Sequence, residues 1–354
     1  MNLELKIAIG ILLATTLAGC TGGSSAAPTA GGAKKTVELL NVCNDPTREL
    51  WKDINQVFTA KYEKETGTPV KIKQSHGGSG PQARAVIDGL DADVVALGLW
   101  PDTDQLRKKG LIKDGWEDRL PNRSLPFTST IVFVVRKGNP KGIKDWADIV
   151  KPGVEIITPN PKTSGNGRLS FLAAWGSVIT SGGTEDQARE FVTTLYKQVP
   201  VLDTGARGST VTFAQKGIGD VHLTWENEAH LEVEEAKGEL DIVFPPSSIF
   251  ADPPVSVVDV NVDRKGTREV AEAYLQFLYT PEGQAIFAKH YYRPSDPKVF
   301  EEHKAKFPDI KLFAVTDLAA SWDDAQGKFF SDTGVFDAIY ESNTPPAEKK
   351  PSEL

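Results

Sequence analysis

One local unit recurs along this chain and settles its fold class: a short apolar strand runs into a turn rich in Gly, Ser or Pro, and the turn opens a helix. The clearest case is Gln74-Ser75-His76-Gly77-Gly78-Ser79-Gly80-Pro81. Before it, Val70, Ile72 and Gln74 alternate with Lys71 and Lys73. After it, Pro81 suits a first helical turn, and Ala85, Val86, Gly89 and Leu90 make a packing face. By itself this turn asks for nothing more than Ser79 as a helix N-cap. Three further stretches share the design: Asp45-Pro46, with Asp45 expected as the N-cap, Ser164-Gly165-Asn166, and Ala206-Arg207-Gly208-Ser209. Strand, loop and helix in repeated succession predict an α/β architecture.

Taken in order, strands are expected over 37–42, 70–74 and 93–99, the last a nearly continuous apolar run of the kind found inside a parallel sheet. A second α/β region begins at Ser129–Arg136 and continues through expected strands at 154–158, 199–202 and 221–225. The apolar run 255–262 reads as one more strand, and 267–279 as a helix, which would suit a return to the first domain. A chain of 354 residues has room for two domains with cores of their own.

Lys6 precedes an apolar run, Ile7–Ala18, that is too short to span a bilayer and ends in Leu17-Ala18-Gly19-Cys20. This tetrapeptide resembles a bacterial lipoprotein signal, so 1–19 is expected to be a signal peptide, Cys20 the lipidated residue and 20–35 a flexible tether. Cys43 is then the single remaining cysteine; with no intrachain disulfide available, packing must hold the fold, and Cys43 reads as a small buried strand residue. The polar stretch 343–354 reads as a disordered tail. A formal charge of −8 offers no footprint for nucleic acid. The five histidines show no metal-ligand spacing, so neither metal nor cofactor is expected.

The four loops carry the chemistry. In open α/β sheets ligands collect at the carboxyl ends of strands, where such loops gather. Each helix start offers amides without helical partners and a fractional positive charge, and each hydrogen bond to a charged group contributes roughly 1.5 to 3 kcal/mol. Four such starts facing one cleft would hold a small multivalent anion without a lysine or arginine touching it. A serine hydrolase is the rival from another class, since His76-Gly77-Gly78 is the kind of turn that builds an oxyanion hole and Ser79 could be a nucleophile. Pro81 stands where a nucleophile elbow needs glycine, however, and no histidine sits in a triad context.

Longer motifs, in order, are similar to those of the bacterial periplasmic sulfate-binding proteins of ABC importers. They are Asp45-Pro46-Thr47-Arg48-Glu49-Leu50, Ser75-His76-Gly77-Gly78-Ser79-Gly80, Pro126-Phe127-Thr128-Ser129-Thr130, Thr158-Pro159-Asn160-Pro161-Lys162, Gly205-Ala206-Arg207-Gly208-Ser209-Thr210, Trp225-Glu226-Asn227-Glu228-Ala229 and Tyr291-Tyr292-Arg293-Pro294. The likeness runs from about Val37 to Phe329. It implies a two-lobed, type II venus-flytrap binding protein, each lobe a mixed sheet flanked by helices: 36–125 with 262–330 as lobe I, and 126–261 as lobe II. It also implies a monomer that hands sulfate, with thiosulfate or another tetrahedral oxyanion as the alternative, to permease subunits in the inner membrane. Its donors would be the amides of Asp45, Ser79, Gly165, Asn166 and Ala206, the Ser164 hydroxyl and the Trp225 indole, with Arg207 in support. Asn166 departs from the family pattern, which has a glycine there.

Overall fold

The structure, a computed structural model, describes residues 34–343, the last three by backbone alone. The expected signal peptide, Cys20, all of the tether before Lys34 and the tail beyond Asn343 lie outside the described residues.

In chain order the strands are β1 (Val37–Asn44), β2 (Val70–Gly77), β3 (Val94–Ala96), β4 (Phe127–Thr128), β5 (Ile131–Arg136) and β6 (Ile156–Ile157). They continue with β7 (Val221–Trp225), β8 (Leu240–Val243), β9 (Ser247–Ile249), β10 (Val255–Val257), β11 (Arg293–Pro294) and β12 (Lys311–Phe313). One sheet has the order β10-β3-β1-β2, in which β1 is parallel to β2 and β3 while β10 runs antiparallel beside β3. The other has the order β6-β7-β5-β8, with β6 and β7 parallel and β5 antiparallel to both its neighbours. Each sheet is mixed and helix-flanked, the expected α/β class.

Register decides what the first sheet presents. Asn44 is opposite Gly77, and Cys43 is opposite both His76 and Ala96, so three parallel strands end at one rim. The loops at Asp45, Gly78 and Leu97-Gly98 therefore start side by side. Behind the rim, Trp51 and Phe58 of the helix Arg48–Thr66 pack on Tyr274, with ring centroids 5.9 and 5.1 Å apart. Cys43 is wholly buried and free, and burial pushes its thiol pKa well up, as suits a packing residue.

Several expected elements are shorter or different. The strand 255–262 stops at Val257, because Asp259 opens the helix Asp259–Lys265 and its buried carboxylate takes Lys113 N–H, Arg119 and Arg268, each at 2.8 Å. Only Ile156–Ile157 of 154–158 pairs as a strand, and 199–202 is loop with a bend at Pro200. The chain has also rejoined the first sheet by Val255, not from 262, and it leaves again. By Lys311 it pairs with Ser247–Ile249, and the helix Val335–Asn343 places Phe336 against Tyr196, 5.2 Å between ring centres. The apolar period of 267–279 marked a helix correctly, but periodicity carries no information about which sheet a helix or strand joins.

Gly176 shows how tightly the last crossing is packed. A Cβ there would lie 2.1 Å from the Phe313 ring. Gly176→Ala should cost about 1 to 3 kcal/mol by overpacking and lower the unfolding midpoint by several degrees in a thermal melt; an unchanged midpoint would mean that Phe313 is free to move.

Candidate functional site

The four loops meet. Ser79 Cβ lies 3.3 Å from the point where a Gly165 side chain would begin, and Leu99 closes the same spot at 3.5 Å. Asp45 Oδ2 stands 2.6 Å from the corresponding point on Gly205, next to Ala206. A side chain on Gly78 would run into the Thr163 carbonyl at 2.5 Å and the Thr204 carbonyl at 3.3 Å. Residues that follow strands of the first sheet thus touch residues from the second half of the chain across a narrow cleft, and glycines stand where the two sides come closest.

Local structure aims the donors. Ser79 and Gly80 open the helix Ser79–Ile87, Gly165 and Asn166 open Gly165–Ile179, and Ala206 opens Ala206–Thr210. Amides in these positions have no carbonyl one turn earlier in their own helix to bond. Ser164 caps Gly165–Ile179: its Oγ accepts from Gly167 N–H at 3.3 Å, which leaves its own proton to donate. Asn166 uses its side chain elsewhere, donating to the Leu223 carbonyl at 3.1 Å and tying the helix start to β7. Trp225, the last residue of β7, is completely buried, and its Nε1–H has no partner among the described residues. A buried donor left unpaired costs about 1 to 3 kcal/mol, so an acceptor placed against this indole would be favoured by a similar amount.

Two capping expectations are corrected. Asp45 is not an N-cap: Asn44 holds that position before the 3-10 turn Asp45–Thr47, no side chain caps it, and the Asp45 carboxylate takes Arg48 Nη2 at 2.8 Å. With Pro46 placing Asp45 inside the turn, its side chain reaches forward to the residue three on. Nor is Ser79 an N-cap. Gly78 takes that place, and Ser79 Oγ accepts from Gly98 N–H at 2.9 Å, binding the turn to the end of β3.

Charges sit around the cleft in pairs. Arg207 Nη2 bridges Glu49 at 3.0 Å and Glu228 at 3.1 Å, one carboxylate from each side. Burial pushes the Glu228 carboxyl up to about 8, against the pull of Arg207. Arg168, buried in the first turn of Gly165–Ile179, holds Asp102 on the opposite side with Nη2 contacts of 2.8 and 2.6 Å. The Arg168–Asp102 pair escaped the reading of the sequence. Its one signal was a cation in the first turn of a helix, where the dipole disfavours it.

The model of the family described as bacterial extracellular solute-binding protein matches residues 42–293. This chain belongs to that family. The solute-binding protein is 53% identical to the sulfate-binding protein of Escherichia coli (strain K12) over 307 residues, 86% of this chain and 93% of that one. It is 49% identical to the thiosulfate-binding protein of Pseudomonas aeruginosa over 315 residues, 88% and 95% of the two chains. Among solved structures, the sulfate-binding protein SubI from Mycobacterium tuberculosis H37Rv superposes with a TM-score of 0.76 at 32% identity, covering 83% of this solute-binding protein and 99% of SubI. The family and these neighbours are in accord with the two-sheet, type II binding-protein fold described above.

Proposed function

We propose that this solute-binding protein captures sulfate in the cleft between its two halves and delivers it to an ABC permease. The Trp225 indole carries the reading: it is a fully buried donor with no acceptor among the described residues, at the end of β7, the strand that Asn166 ties to the start of the helix Gly165–Ile179. The ligand set is the amides of Asp45, Ser79, Gly165, Asn166 and Ala206, the Ser164 hydroxyl and the Trp225 indole. Arg207 stays outside it, engaged with Glu49 and Glu228. The names of the relatives, sulfate-binding and thiosulfate-binding, support the anion class. Thiosulfate is the second reading, because a relative of nearly equal identity carries that name. Titration calorimetry on protein stripped of copurified anion, with sulfate, thiosulfate, phosphate and molybdate, separates these readings. Saturation by none of the four sinks the proposal.

The site works as a monomer with two lobes that close on the anion, in the periplasm and anchored to membrane through Cys20. Replacing Cys20→Ser should move the protein from the membrane to the soluble fraction without altering sulfate affinity. Retention of the Ser variant on membranes would remove the lipid anchor from the proposal.

A further inference from the structure

A second cavity, of about 350 Å³, opens where the crossings between the halves meet the C-terminal segment. Its apolar walls are Trp100, Leu125, Phe250, Val315 and Trp322, none of them a residue of the anion cleft. Its charged lining is Glu117, Asp252 and Asp323 against the single cation Arg123. Two of the three carboxylates are engaged: Asp323 holds Lys108 at 2.8 Å, and Glu117 accepts from Trp100 Nε1 at 2.7 Å and also pairs with Arg123. Asp252 is in no ion pair among the described residues. Burial raises its carboxyl to about 7, against the pull of its own backbone amide and of Arg123.

The turn that lines this cavity is strained. Asn122, Arg123 and Ser124 have φ of 51°, 55° and 61°, three successive side-chain-bearing residues in the left-handed region. Each costs roughly 1 to 2 kcal/mol there, and such conformations gather at ligand clamps and switches. The turn is held in place by Asn122 Nδ2 donating to the Leu125 carbonyl at 2.9 Å and Ser124 Oγ donating to the Trp116 carbonyl at 3.0 Å. It sets Arg123 onto Glu117, leaving the Asp252 carboxylate without that cation.

From the cavity, its two indole walls, its net negative lining and the free carboxylate, we infer a second binding site that takes a small aromatic or branched-alkyl ammonium ion. The ammonium would pair with Asp252, and the organic body would lie among Trp100, Trp322 and Leu125. Indole faces favour cations by about 0.5 to 2 kcal/mol. A cation would also offset the excess of carboxylates, which an anion or a neutral ligand would not.

The probe is benzylammonium chloride, titrated calorimetrically into the full mature chain at pH 8, where Asp252 is ionised and the amine remains a cation. Benzyl alcohol, of the same shape without the charge, is the control. One-to-one binding of benzylammonium with a Kd of roughly 1 mM or tighter is expected, with benzyl alcohol at least about tenfold weaker, one charge-assisted contact being worth that much. Asp252→Asn should abolish the difference between the two probes, and Trp322→Ala should weaken both. Thermal melts show whether each variant folds, and either one alone tests the site. Lowering the pH to 6 should weaken benzylammonium and leave benzyl alcohol unchanged, since Arg123, Glu117 and Asp323, the other groups on the lining, are already paired. No heat with benzylammonium at 10 mM, using about ten times the expected Kd as the limit, overturns the inference, as do equal affinities for the two probes or full affinity in Asp252→Asn. Neither probe is an anion, so such a result would leave the sulfate proposal standing.

Discussion

Stripped of bound anion, the protein should prefer sulfate to phosphate by about 10⁴-fold or more at neutral pH, the discrimination available to sites built on hydrogen-bond patterns. The reason is a count of donors and acceptors. Sulfate carries no proton at neutral pH, whereas phosphate keeps at least one and needs an acceptor for it. The proposed ligand set offers backbone N–H groups at three helix starts and at the 3-10 turn of Asp45, the Ser164 hydroxyl and the Trp225 Nε1–H. The Ser164 oxygen is already an acceptor for Gly167 N–H. The Asp45 carboxylate is bound to Arg48 through one oxygen and abuts Gly205 with the other. Phosphate would therefore bury its own O–H against donors, at about 1 to 3 kcal/mol for each mismatched group. Trp225→Phe removes a donor while keeping a large apolar side chain. It should weaken sulfate by about 10- to 150-fold, the equivalent of one hydrogen bond to a charged group, about 1.5 to 3 kcal/mol. Ser164→Ala should cost as much, and Asn166→Gly little, because the Asn166 side chain points to Leu223 and only its amide is enlisted. Equal affinities for sulfate and phosphate, by calorimetry, would show that the cleft is not an all-donor pocket.

Gly78→Ala should cripple closure while leaving the folded halves intact. Gly78 has φ −58° and ψ 138°, a conformation any residue adopts, so alanine costs nothing when the two sides of the cleft are apart. With the sides together its Cβ would meet the Thr163 carbonyl at 2.5 Å, a backbone atom that cannot swing away. The clash falls on the closed state alone, and a ligand that bridges both sides loses affinity by whatever closure loses. At the usual 1 to 3 kcal/mol for overpacking, affinity for sulfate should fall by about 5- to 150-fold. The unfolding midpoint without sulfate should stay near that of the parent, and small-angle scattering should lose the compaction with sulfate that is expected of the parent. Gly205→Ala makes a gentler comparison. Its clash is with Asp45 Oδ2, the end of a side chain that can turn, so its loss should be the smaller of the two. Undiminished sulfate affinity in Gly78→Ala would mean that binding does not bring Gly78 and Thr163 together.

The balance between charged residues and the cleft is informative about design. Arg168 and Asp102 are buried together, as are Arg293 and Glu226, and Arg207 is shared between Glu49 and Glu228. Removing one member of such a pair leaves a buried charge uncompensated, typically at about 3 to 5 kcal/mol. Cations around the cleft are thus spent on carboxylates, and in the proposed site an anion would be left to amides, whose fixed dipoles need no counter-charge.

Local rules made much of this protein legible in its sequence. Apolar strands that run into Gly, Ser or Pro and then into helical spacing marked the α/β class, because strand period, turn chemistry and helix starts are properties of a few neighbouring residues. The same signals picked out Ser79, Gly165, Asn166 and Ala206 as helix openers and Cys43 as a packing residue, and the structure has them so. What tertiary structure alone decided was everything that depends on distant partners. Asp45 was expected to cap a helix and instead holds Arg48 at the rim; Ser79 was expected to cap and instead receives Gly98 N–H from the end of β3. The run 255–262 was expected to be one strand, but the ion pairs of Asp259 with Arg119 and Arg268 belong to a helix. The return of the chain at Val255 and its second departure toward Phe313 follow from which sheet edge and which helix face were left uncovered. Sequence period reports the face an element buries. Only the assembled fold determines what that face is buried against, and so which amides, indoles and glycines end up opposite one another across the cleft.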